Sequence, residues 1–155
     1  MTSSNSLKRC CSVLIAIIFS NCTKESPLDS SKSKFTQFYE SVKTNCVQCH
    51  APDQMAQLNY SIPLDFSTQD KAYSDLTSNK SKNSVDSSCD GIAYVTAKNL
   101  NKSYIMAVFV DSYNINDFAG VVNCKPPSYH LNSSLGLKSS EKTLLQDWIL
   151  EGAQK

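Results

Sequence analysis

Cys46-Val47-Gln48-Cys49-His50 is the stretch from which the rest of the chain is read. In a C-x-x-C-H run, two thiols stand three residues apart with an imidazole directly behind them. One turn of backbone can therefore present both sulfurs and a ring nitrogen to the same edge of a planar cofactor. This meets the requirement for covalent attachment of a haem, with thioethers from Cys46 and Cys49 to its vinyl groups and His50 as the proximal ligand to iron. Two other chemistries use C-x-x-C. A dithiol redox site is expected beside a βαβ pattern and a zinc site needs a second ligand pair, yet the chain has neither a βαβ pattern nor a second C-x-x-C. A zinc set of Cys46, Cys49, His50 and His130 is formally complete, but the adjacent Cys49 and His50 are awkward tetrahedral ligands.

The 155 residues, 41% of them hydrophobic, have room for one core and a leader. A formal net charge of +1, with no Lys/Arg cluster, argues against a nucleic-acid partner. At the N-terminus Lys8 and Arg9 precede an apolar run from Cys10 to Phe19, too short to span a bilayer as a stable helix, so 1–21 reads as an export signal. The stretch Ile18-Phe19-Ser20-Asn21-Cys22 resembles the lipobox of bacterial lipoproteins, which implies that Cys22 becomes the lipid-modified first residue. Phe19 and Asn21 depart from the commonest form of that pattern. Residues 22–33, rich in Ser, Lys, Asp and Pro, read as the lipidated Cys and a solvated tether, and 34–155 as the domain. Removing Lys8 and Arg9 from the 15 basic residues leaves 13 against 14 acidic ones, so the exported domain is nearly neutral.

Export also sorts the seven cysteines. Cys10 and Cys11 leave with the signal, Cys22 takes lipid, Cys46 and Cys49 take haem, and Cys89 and Cys124 remain. In an oxidising compartment these two are expected to form a disulfide that stabilises the fold by about 3–4 kcal/mol through chain entropy.

Periodicity predicts an all-α domain of about four short helices with long loops. Phe35, Phe38, Tyr39 and Val42 form an i, i+3, i+4, i+7 stripe behind Ser33 as N-cap. After Ala51-Pro52, a loop carrying Asn59, Pro63 and Asp65 is expected to wrap the cofactor. Ser67-Thr68-Gln69-Asp70 opens a short helix with Ala72, Tyr73 and Leu76 on one face, and the polar stretch from Thr77 to Ser88 reads as a mobile surface loop ending at Cys89. Tyr94-Val95 reads as a short extended segment. Asn101 or Ser103 begins the next helix, which buries Tyr104, Ile105, Val108 and Phe109. Ser139 or Ser140 caps the last one, whose apolar face is Leu144, Leu145, Trp148 and Ile149 and which stops at Gly152.

Taken in order, the C-x-x-C-H run, Lys71-Ala72-Tyr73-Ser74-Asp75-Leu76, Asn101-Lys102-Ser103-Tyr104-Ile105, a Pro-Pro turn and the ending Trp148-Ile149-Leu150-Glu151-Gly152-Ala153 resemble bacterial class I c-type cytochrome domains. The resemblance covers about Phe35 to Ala153. It implies a small cytochrome c-like fold around one haem c, with the first and last helices crossing near it, and a role in electron transfer. It also implies a distal Met just before a Pro in the late loop. Here Lys125-Pro126-Pro127 puts Lys where that Met belongs. The distal candidates are then His130, whose neutral imidazole is available at pH 7, Lys125, and Met106, with Met55 a further thioether.

Two function classes follow. One is a lipid-anchored electron carrier serving redox partner proteins at the cell envelope. The other is a haem lipoprotein with an open distal face that binds or senses a small ligand, or whose haem is mainly structural. No catalytic triad or carboxylate pair points to an enzyme.

Overall fold

The structure, a computed structural model, describes residues 31–82, 87–110, 124, 130 and 136–155. The segment 1–21 expected to be an export signal, Cys22 and the residues as far as 30 expected to form a tether, and Lys125-Pro126-Pro127 lie outside the described residues. Within them the chain is all-α: it forms α1 (Lys34–Val47), α2 (Met55–Tyr60), α3 (Gln69–Ser78), α4 (Tyr104–Phe109) and α5 (Ser139–Leu150), with short 3-10 turns at Ser87–Cys89 and Leu100–Lys102 and no strand.

Helix α1 begins where its first N–H groups find a side-chain acceptor: Ser33 Oγ accepts from the Thr36 amide at 3.2 Å. Its whole aromatic stripe, Phe35, Phe38, Tyr39 and Val42, is buried. Most of that face lies on α5, which buries Leu144, Leu145, Trp148 and Ile149 in return. The Phe35 ring sits at the centre of the joint, 4.7 Å from Trp148 and 5.2 Å, edge-on, from Tyr73 of α3. Offset and edge-to-face ring pairs of this kind add to the simple gain from burying area.

The end of α5 is held by a folded-back turn. Gly152 adopts a φ of +102°, open to glycine and strained for other residues, and lets the Ala153 amide reach the Trp148 carbonyl at 2.8 Å. Trp148 Nε1 then donates to the Gln154 carbonyl at 2.7 Å, and the Tyr73 hydroxyl donates to the Ala153 carbonyl at 3.2 Å. The start of α5 differs from the expected Ser cap. Lys138 occupies the cap position and cannot accept a hydrogen bond, so the helix relies on Glu141, whose Oε2 accepts from the Lys138 amide at 2.7 Å.

Three further expectations are corrected. The loop after His50 contains α2, which ends at Ser61 in the left-handed conformation. Of the two starts expected for the next helix, Ser103 is the one found: it occupies the cap position before Tyr104, though its hydroxyl donates to the Asn99 and Thr96 carbonyls rather than capping the helix, while Asn101 falls in the Leu100–Lys102 turn capped by Asn99. The stretch after α3 is not wholly a surface excursion. Ser81 is buried, donates from its hydroxyl to the Cys89 carbonyl, and accepts at that oxygen from the Ile92 amide at 3.0 Å. A single antiparallel bridge between Lys80 and Ala93 stands where an extended segment was expected at Tyr94-Val95.

Cys89 and Cys124 are joined by a disulfide, with Cα atoms 4.8 Å apart and both residues buried. No described helix is long and apolar enough to cross a membrane.

Candidate functional site

The Cys46–His50 run lies at the C-terminal end of α1, where the helix unwinds through one tight turn. The amides of Cys49 and His50 both point to the Cys46 carbonyl, at 3.2 and 2.8 Å, which keeps the five residues in one compact loop. The Ala56 amide at the start of α2 donates to the Cys49 carbonyl at 3.1 Å, and the Phe66 amide donates to the His50 carbonyl. Backbone on both sides therefore fixes the direction in which His50 leaves the chain.

His50 opens into a cleft whose empty space, open solvent at its mouth included, is about 600 Å³. Cys46 and His50 form one end. One wall is Ile62, Leu64 and Phe66, alternate residues of an extended stretch after α2. The other is the Tyr104, Ile105, Val108 and Phe109 face of α4, and Lys82, Tyr94 and His130 complete the lining. The extended wall is held by Asp65, which points away from the cleft chemistry and pairs with Lys71 of α3 at 2.8 Å.

His130 faces His50 across this space, with ring centres 6.3 Å apart and planes 29° from parallel. Two imidazoles bound on opposite sides of one metal ion, each about 2.0 Å from nitrogen to metal and about 1.1 Å from nitrogen to ring centre, would have centres about 6.2 Å apart. His130 also packs on Phe109, ring centres 4.9 Å apart. The Nδ1 atom of His50 is buried with no hydrogen-bond partner, a state that costs about 1–3 kcal/mol in a protein interior. Burial, and after it the nearby His130, push the His50 pKa down to about 4, so the imidazole is neutral at pH 7 and keeps a free lone pair. Neutral imidazole is the form that ligates iron.

Cys46 and Cys49 are free, half-buried thiols. Burial, then the carboxylate of Glu141 and the neighbouring Cys49, push the Cys46 thiol up to about 12. A dithiol that exchanges disulfides needs the opposite, a thiol ionised near neutral pH, so the pair is poorly suited to redox catalysis. Nor is there a zinc cage: among the described residues no group of three or more His, Cys, Asp or Glu is placed to hold a metal ion. A planar group that brings its own equatorial donors would need two further ligands, and His50 and His130 are the residues that would hold it. The residues fit a haem in three respects: thiols free for thioethers, an orphaned buried imidazole nitrogen, and a second imidazole at the right separation.

The structure thus brings Cys46, His50 and His130 to one cleft. Cys49 is half-buried and does not line it. Met106 is fully buried in the core off the lining, and Met55 is half-exposed on α2, so neither thioether faces His50. Lys125 and Cys22 lie outside the described residues. Sequence reasoning missed Lys82, Tyr94 and the Ile62-Leu64-Phe66 wall as parts of the site. The alternation of that wall with Ser61, Pro63 and Asp65 was the available signal. Comparison with protein-family models, with curated proteins and with solved structures returns no match.

Proposed function

We propose that the chain is a monohaem c-type cytochrome domain of cytochrome c-like fold that carries single electrons at the bacterial cell envelope. The observation that carries this reading is the placement of His130 opposite the Cys46–His50 motif, at a separation of 6.3 Å, across one mainly apolar cleft. Cys46 and Cys49 would hold the cofactor through thioethers, each formed by adding S–H across a vinyl C=C with no oxidant consumed, and His50 and His130 would ligate its iron. When bound, the haem supplies the one-electron ferric/ferrous couple. Ile62, Leu64, Phe66, Ile105, Val108 and Phe109 exclude water from it, which with bis-imidazole ligation sets the potential. Cys22 carries the lipid anchor, and the partners are redox proteins at the same membrane. The task is charge transfer, not bond-making, so the domain is not an enzyme. A sensor with an open distal face is the second reading, and the position of His130 argues against it.

The test is maturation of the full chain in a host with haem-attachment machinery. Haem stain should survive denaturing electrophoresis and disappear in Cys46→Ala/Cys49→Ala. The ferric spectrum should be low-spin without a Met charge-transfer band, and His130→Ala should turn it high-spin and open it to cyanide. An unstained wild type refutes the proposal. A stained but high-spin wild type would transfer the assignment to a ligand-binding haem protein.

A further inference from the structure

The cleft is lined by apolar, tyrosyl, imidazole and thiol groups with a single formal cation, Lys82, and no carboxylate among the described residues. We infer that Lys82 is the anchor for a carboxylate of the bound group, which on the function proposed above is a haem propionate. A porphyrin of this class carries two carboxylates, and an apolar cleft cannot take them in unpaired. One cation at the mouth answers that need without placing a charge in the interior.

The position of Lys82 is built rather than incidental. Its neighbours Lys80 and Ser81 are tied to the chain after Cys89: Lys80 bridges Ala93, the Ser81 amide donates to the Ile92 carbonyl at 2.6 Å, and the Gly91 amide donates to the Ser81 carbonyl at 2.9 Å. The backbone of Lys82 lies beside the hydroxyl of Tyr94, another lining residue. Its base is therefore fixed at the cleft while its side chain stays in solvent, the arrangement in which a lysine stem reaches along apolar surface and keeps its ammonium wet. No carboxylate of the described residues pairs with it.

The ammonium acts on the iron through the propionate it neutralises. Removing it leaves an uncompensated negative charge beside the haem, which favours the ferric state. The test uses the full-length, haem-loaded protein and reads the midpoint potential by spectroelectrochemical titration in wild type, Lys82→Gln, Lys82→Glu, Lys82→Arg and Lys80→Gln. At a fixed applied potential Lys82→Gln should raise the ferric/ferrous ratio roughly threefold to tenfold, tenfold being about 59 mV for a one-electron couple. Lys82→Glu should raise it further and Lys82→Arg should restore the wild-type value. Lys80→Gln removes a cation from the same segment that does not line the cleft, and should leave the ratio nearly unchanged. Equal effects of Lys80→Gln and Lys82→Gln would mean a general surface-charge effect and overturn the inference. So would a loaded Lys82→Glu with the wild-type potential. A wild type without haem overturns the proposed function and this inference together, whereas a loaded one indifferent to Lys82 overturns only the latter.

Discussion

Truncation of Phe35 is the sharpest test of how the fold is held together. Its side chain is fully buried, with the rings of Trp148, Tyr73 and Tyr39 at 4.7, 5.2 and 6.4 Å. Phe→Ala at such a site costs about 3–5 kcal/mol, the spread reflecting how far the surroundings collapse into the space. Collapse is hindered here. Trp148 is tied by Nε1 to the Gln154 carbonyl and Tyr73 by its hydroxyl to the Ala153 carbonyl, so neither ring moves without breaking a hydrogen bond. The expected loss is therefore at the upper end, about 4–5 kcal/mol, of a domain stability that is commonly about 5–15 kcal/mol. With a urea slope of about 1.5 kcal/mol/M, the midpoint should fall by roughly 3 M at unchanged slope. A double-mutant cycle between Phe35→Ala and Tyr73→Leu should return a coupling of about 0.5–1.5 kcal/mol from the edge-on pair. A midpoint shift under about 1 M with the slope preserved would show that the rings relax freely, and would refute the argument from their tethers.

Gly152→Ala should cost about 1–2 kcal/mol in the same assay, since the left-handed backbone there penalises a Cβ. Cys89→Ala/Cys124→Ala should lose about 3–4 kcal/mol, and non-reducing peptide mapping of the wild type should recover the two as one linked species. Asp65 gives a pH dependence: burial works against its charge, but the bonds from Lys71 and Ser67 outweigh that and hold its carboxyl below the ordinary carboxylate range. The unfolded chain therefore takes up this proton first, so the contribution is complete above about pH 4 and is lost as pH falls through the lower, folded value. The stability difference between wild type and Asp65→Asn should be constant from pH 5 to 7 and shrink in acid, and a difference that grows in acid would contradict the pairing.

The parts of the fold that were legible are those decided by local pattern. The stripe of Phe35, Phe38, Tyr39 and Val42 behind Ser33, and that of Leu144, Leu145, Trp148 and Ile149 before Gly152, each carry a period and a stop signal that need no tertiary information. Thr68, which caps α3 by accepting from the Lys71 amide, is of the same kind. What failed depended on contacts that residue type and periodicity do not encode. Helix α2 buries only Ala56, so it has no apolar stripe to reveal it, and it is held by the Cys49 carbonyl and a left-handed Ser61. Ser139 and Ser140 were sound cap candidates on residue type, yet Glu141 reaches back to Lys138 and moves the start one residue earlier. Ser81 looked like loop because its composition is polar, and only the approach of Cys89 and Ile92 makes it a buried joint. For the site, the motif named one end of the cleft. His130 was one of several distal candidates in the sequence, and only the fold shows that it lies opposite His50 while Met106 is buried in the core.

Cys124 stands at the midpoint of the stretch between Phe109, which ends α4, and Ser139, which begins α5. His130 belongs to the second half of that stretch, six residues beyond the half-cystine. The disulfide ties Cys124 to Cys89, so His130 stands six residues along the chain from a point fixed to the core, and reduction of that bond would remove the point while leaving the chain around His50 untouched.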